Sequence, residues 1–314
     1  MTPLGPPIAA ELRPFLPEIA AERPFMDGPE GVGKLRAAMA EFEESVDAVA
    51  AETGAHIAEL RVDGVPVIVI TPADLEGRVG AVLNVHGGGL VAGSHRSVLG
   101  ANARTAIELE CVMVLPDYRL APEHPYPAGL DDVETVWEWL RTGGAGRGVD
   151  VDRIVVMGGS AGGCLSAGLL VRLTGKGGQL PRALVLVQPQ LDDRNVHPST
   201  FELEHAYFWD RPSNLYSWSV YLAGTDIVPA EAAPARAHDL SGFPPTFIEI
   251  GQVDIFRDEG LEFAARLSHA GVPVEAHMWA GAFHGFDGLI EASVSRRAVA
   301  ARREFLRDQL NARG

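Results

Sequence analysis

From residue 65 onward, short β-rich runs alternate with helical stretches, which predicts an α/β fold: a mostly parallel central sheet flanked by helices, with a helical cap. Two further observations support that class. The β-rich runs are near-continuous apolar segments, as strands covered on both faces must be. One aromatic-rich section, Leu191 to Leu240, interrupts the alternation without a clear strand of its own.

In chain order, the first element is an amphipathic helix over Lys34–Thr53, where Leu35, Met39, Phe42, Val46 and Val49 recur at three- and four-residue spacing. Strands follow at Val65–Ile70, Ala81–Val85, Val112–Leu115, Ile154–Met157, Ala183–Val187, Thr246–Ile250 and Val274–Met278. Helices between them cover Ser97–Leu109, Gly129–Leu140, Ala161–Leu173 and Gly260–Ala270. Within the interruption, Phe208-Trp209 and Leu215–Leu222 read as short helices carrying large apolar side chains. A loop region of that length inside a compact domain is usually functional. The expected organisation is N-terminal cap helices over 1–55, a core over 56–190, a cap insertion over 191–225 and the rest of the core over 226–314.

Composition removes several classes. The 314 residues are 46% hydrophobic, yet no run is long and apolar enough for a membrane span. A formal charge of −16 repels nucleic acid and anionic membranes and leaves a neutral small molecule as the expected partner. The start, Met1 to Pro7, has neither a basic region nor an apolar core, so no secretory signal is expected. Cys111 and Cys164 sit in apolar settings as expected buried thiols, which agrees with a cytoplasmic location. Gly28 to Lys34 matches the spacing of a phosphate-binding loop, but no strand precedes it and Leu35 stands where magnesium needs Ser or Thr. No cofactor and no metal is expected.

The chemistry is concentrated beyond the carboxyl ends of the strands, where active sites of such sheets lie. Gly158-Gly159-Ser160-Ala161-Gly162 joins a strand to a helix. A nucleophilic serine needs that context: a tight turn with glycines beside it, and a helix N-terminus to favour negative charge. His86-Gly87-Gly88-Gly89 follows another strand. Without side chains in the way, the N–H groups of Gly87, Gly88 and Gly89, with that of Ala161, can reach a developing oxyanion. His86 is expected to hold this loop rather than act as a base, and Asp117-Tyr118-Arg119 and Glu123 to form a hydrogen-bonded hub beneath it. The base should come late. His284, in the loop after the last strand and followed by Gly285, fits, whereas His277 within the strand and His269 on a helix read as structural. The acid should lie after the strand Thr246–Ile250, where Asp254 and Asp258 are both available.

Together, His86 to Gly89, Tyr118 to Glu123, Gly158 to Gly163, Asp254 to Glu259 and His284-Gly285-Phe286 resemble the hormone-sensitive-lipase-like family of bacterial carboxylesterases, within the α/β-hydrolase superfamily. The resemblance covers roughly residues 80 to 290 and implies a Ser160–His284–Asp254 triad, a cap and an edge-strand homodimer. It also implies cleavage of short- to medium-chain carboxylic esters through an acyl-enzyme. Gly159 replaces the Asp, Glu or Thr common before the serine, and Ile255-Phe256 replaces the usual Pro-Leu. Asp258, one helical turn beyond Asp254 and beside Arg257 and Glu259, is the expected capping or ion-pairing carboxylate. Two other functions remain open to the same residues: an amidase or peptidase, and a non-catalytic ligand-binding protein.

Overall fold

The computed structural model describes residues 6–16, 26, 28–146, 148–203 and 206–311. The Met1–Gly5 part of the N-terminal reading, and parts of the expected unit 1–55, therefore lie outside the described residues. Eight strands form one sheet: β1 (His56–Val62), β2 (Val65–Thr71), β3 (Val79–Val85), β4 (Val112–Pro116), β5 (Val149–Gly159), β6 (Ala183–Val187), β7 (Thr246–Val253) and β8 (Val274–Phe283). Their spatial order is β1-β2-β4-β3-β5-β6-β7-β8. The β1–β2 and β2–β4 pairings are antiparallel and every later pairing is parallel.

Both faces are covered because side chains alternate along each strand. Ala81, Leu83 and Val85 of β3 enter one core while Val82 enters the other. The first core holds α4 (Ala128–Arg141), α5 (Ala161–Lys176) and α8 (Arg257–His269), with Trp137, Leu165 and Phe263 buried in it. The second holds α3 (Leu99–Leu109) and α9 (Ser293–Asn311), through Ala103, Ala106, Phe305 and Leu306.

The seven anticipated strands are present, and several other features differ from expectation. β1 was not anticipated: it is an edge strand with mostly exposed residues, so its alternation is faint. Its hairpin turn, Asp63-Gly64, has positive φ at both positions (46° and 94°), the geometry that Asp-Gly favours. The single N-terminal helix is instead two, α1 (Pro29–Ala40) and α2 (Val46–Thr53). Between them the Glu44 carboxylate accepts from the Gly100 N–H at 2.6 Å, and Ser45 caps α2 through the Ala48 N–H. Those bonds outweigh the apolar periodicity, and Phe42, at the break, is 63% exposed. The amphipathic α9 also escaped notice.

Within the expected insertion, α6 (Pro198–Glu202) and α7 (Arg211–Tyr221) are helical, but Phe208-Trp209 forms a bend. Cys111 and Cys164 are buried free thiols. Among the described residues, no helix is long and apolar enough to cross a membrane.

Candidate active site

Ser160 occupies the turn from β5 to α5 with φ 54° and ψ −120°, a left-handed conformation that a side chain adopts only under constraint. Its N–H donates to Val187 O (2.8 Å) and its carbonyl accepts from Gly163 and Gln190 (2.9 and 3.1 Å). The glycines on either side are a packing requirement. A Cβ on Gly162 would approach His86 O to 2.6 Å, and one on Gly158 would approach Ser166 Oγ to 2.5 Å. The elbow and the glycine loop thus touch backbone to backbone.

His284 follows β8, with its Nε2 3.0 Å from Ser160 Oγ and its Nδ1 2.7 Å from Asp254 Oδ2. A carboxylate only accepts, so Nδ1 carries the proton and the Nε2 lone pair faces the serine. Asp254 lies just past β7 and is 1% exposed, and its Oδ1 accepts from the Phe256 N–H at 3.0 Å. Burial, with the charges of Asp192 and Asp254, pushes the carboxyl of neighbouring Glu259 well above its ordinary range, while its Oε1 accepts from the Leu191 N–H. Asp258 faces elsewhere. It accepts from the Ser199 N–H (2.7 Å) and pairs with Arg257 (2.6 Å), tying α6 to α8. Burial opposes ionisation of Asp258, but the Arg257 and Ser199 bonds outweigh it and hold the pKa down.

The loop of Gly87, Gly88 and Gly89 lies beside Ser160, with Gly88 and Gly89 at φ 118° and 61°. Gly88 O accepts from the Val91 and Ala92 N–H groups, and Gly89 O accepts from Ser217 Oγ at 2.6 Å. Among the described residues, none accepts from the N–H of Gly87, Gly88, Gly89 or Ala161.

His86 lies under this loop, its Nδ1 2.8 Å from Gly87 O. It stacks on Tyr118 at 4.2 Å, and the Tyr118 hydroxyl donates to His86 O at 3.0 Å. Burial holds the His86 pKa down to about 4, so its ring stays neutral. The anticipated hub is only partly shared. Asp117 pairs with His95 (3.1 Å), whereas Arg119 pairs with Asp132 and Glu123 with Arg36. Arg36 also donates to Val91 O and Ala121 O, so α1 pins the chain beyond the glycine loop. His277 stacks on Trp279, and His269 ends α8. Residues 29–34 of the phosphate-loop lookalike form the first turns of α1, with Gly28 as the N-cap and Lys34 paired to Glu30.

Sequence reasoning missed Arg36, Gln188, Gln190, Asn214 and Ser217. The amides and Ser217 belong to no motif, and only the aromatic richness of 191–240 pointed to the region that holds Asn214 and Ser217.

A family model described as alpha/beta hydrolase fold matches residues 82–288. Esterase LipI of Mycobacterium tuberculosis is 36% identical over 211 residues, 66% of this chain and 65% of that protein's length. Carboxylesterase NlhH of the same organism is 36% identical over 233 residues, 71% of each. Among solved structures, esterase LipW from Mycobacterium marinum superposes with a TM-score of 0.87 at 33% identity, covering 97% of this chain and 98% of that one. A bacterial heroin esterase gives 0.86 at 32% identity, with the same coverage.

Proposed function

Because the chain belongs to the hormone-sensitive-lipase-like carboxylesterases of the alpha/beta hydrolase fold, we propose that it cleaves carboxylic esters with Ser160, His284 and Asp254. The observation that carries this reading is the unbroken chain Ser160 Oγ–His284 Nε2 (3.0 Å) and His284 Nδ1–Asp254 Oδ2 (2.7 Å). Ser160 Oγ attacks the ester carbonyl while His284 takes its proton at Nε2. Asp254 holds the imidazole in the required tautomer and stabilises its charged form. The glycine-loop N–H groups and that of Ala161 receive the oxyanion. His284 returns the proton to the departing alcohol, and water then attacks the acyl-enzyme by the reverse path. These residues complete the cycle without a cofactor.

The described parts of residues 1–55 and 191–225 form a cap in this reading, over the described core residues of 56–190 and 226–311. Supporting it, Trp209 lies against Gly89, Phe208 lies against Gly285, and Arg36 of α1 reaches the chain after the glycine loop. Aromatic walls against the glycine loop and the His284 turn favour short- to medium-chain acyl groups. The test is a serine-directed phosphonate, which should add once, at Ser160, and block turnover of p-nitrophenyl esters. Labelling at another residue, or substantial turnover by Ser160→Ala, would overturn the reading.

A further inference from the structure

Consecutive residues at the end of β6 reach both reacting groups. Val187 O takes the Ser160 N–H at 2.8 Å. The next side chain, Gln188, takes the N–H of Gly285, the residue after His284, on its Oε1 at 2.6 Å. Gln188 is 3% exposed, and its φ of 48° is one a non-glycine residue adopts only where its surroundings demand it. Its amide orientation is set by its partners. The Gly285 N–H must face the oxygen, and Nε2 then donates to Asp287 Oδ1 at 3.0 Å.

The contacts continue around a ring in which the Arg302–Glu249 link is a charge approach, not a hydrogen bond. Asp287 Oδ2 accepts from Arg302 Nη2 at 3.0 Å, from α9 on the far side of the sheet. Arg302 Nη1 lies 3.9 Å from Glu249 Oε1, and Glu249 O accepts from the Gln188 N–H at 2.7 Å. Glu249 is fully buried on β7. The ring thus grips the His284 turn at two points, Gly285 and Asp287.

We propose that Gln188 is a positioning residue that sets the His284–Ser160 separation by holding the Gly285 N–H, and that Asp287 and Arg302 keep its amide in the working orientation. This rests on the triad reading above. A base displaced by about 1 Å loses on the order of a hundredfold in rate, so a bond one residue from the imidazole has leverage on kcat. Gln188 is buried and closed off from a bound ester, so KM should be nearly unaffected.

The experiment uses Gln188→Ala, Gln188→Glu and the double variant Gln188→Glu/Asp287→Asn, with kcat per site titrated by phosphonate, and Ser160→Ala, assayed per mole of protein. Gln188→Ala should lower kcat by about tenfold to a hundredfold, with KM changing less than about twofold. Gln188→Glu keeps an acceptor for Gly285 but sets a carboxylate against Asp287, and should fall as far. The double variant reverses the pair: the carboxylate at 188 accepts from the amide at 287, whose oxygen still accepts from Arg302. It should recover kcat to within about threefold of the parent, which general loss of stability cannot produce. Wild-type kcat in Gln188→Ala, or a double variant no better than Gln188→Glu, overturns the positioning role. An active Ser160→Ala would instead overturn the triad reading beneath it.

Discussion

Trp209 packs directly against Gly89: a Cβ in place of the glycine hydrogen would overlap the indole, 2.6 Å from its Cζ2. The ring is itself fixed, since Nε1 donates to Asn214 Oδ1 at 3.1 Å and Gln190 Nε2 donates to the same oxygen at 2.8 Å. Gln190 also donates its N–H to Ser160 O, and Ser217 of α7 donates to Gly89 O. A buried polar network therefore joins the insertion, the glycine loop and the elbow into one unit.

Gly89→Ala tests that unit. The new methyl must displace either Trp209 or the loop, and a φ of 61° strains any side chain there. Loss of one oxyanion donor costs about 10² to 10³ in kcat. The expected outcome is a fall of that size on p-nitrophenyl acetate with the fold retained, checked by kcat and circular dichroism. Near-normal kcat would mean that the glycine loop does not bind the oxyanion.

Trp209→Ala removes the same ring from the other side. Opening that wall should raise kcat/KM for longer acyl chains relative to acetyl, because space for extra methylenes appears beside Gly89. A p-nitrophenyl ester series of increasing acyl length measures it. A uniform loss across the series would make Trp209 only a support for Asn214 and Gly89.

What the sequence made legible follows from the range over which each feature is encoded. Ser160 and the glycine loop announce themselves because a strand, a tight turn and the next element are adjacent in the chain. His284 and Asp254 are legible through their place after the last two strands, which the alternating pattern supplies. Glu44 breaks the N-terminal helix through contacts with Arg96 and Gly100, beyond any window of periodicity, while Ser45 caps the next helix locally through the Ala48 N–H. Gln188 and Asp287 lie 99 positions apart, and neither stands in a recognisable motif. Only the folded sheet brings β6, the His284 turn and α9 together.

Asp254 and Asp258 make a paired prediction. Asp254→Asn leaves an amide opposite His284 Nδ1, favouring the tautomer that points a proton at Ser160. The same change in a serine protease lowers kcat by about 10⁴. Asp258→Asn instead weakens the bonds to Ser199 N–H and Arg257, and should cost about 1–3 kcal/mol of stability with a modest share of rate. Measuring kcat and Tm for both separates the roles. The reverse ranking of rates would make Asp258 the triad acid.

The last prediction concerns Glu249 and pH. Burial pushes its carboxyl from the ordinary 4.5 up to about 7; the charge of Arg302 opposes that shift, Asp287 adds to it, and His277 and the Gln188 amide weakly oppose it. Because the folded pKa is the higher one, the folded chain holds a proton between about pH 4.5 and 7 that the unfolded chain has released. The stabilisation from this group is therefore complete below about 4.5 and is lost as pH rises to about 7, with no further change above. Glu249→Gln keeps the shape of the neutral acid and removes the titration. Its Tm relative to the parent should rise across that window by about 2 °C or more and level off above it. Thermal melts of both proteins from pH 5 to 8.5 measure this difference directly. A constant Tm difference would mean that Glu249 is ionised throughout, held by Arg302, and the ring behind His284 would then carry a full ion pair at every working pH.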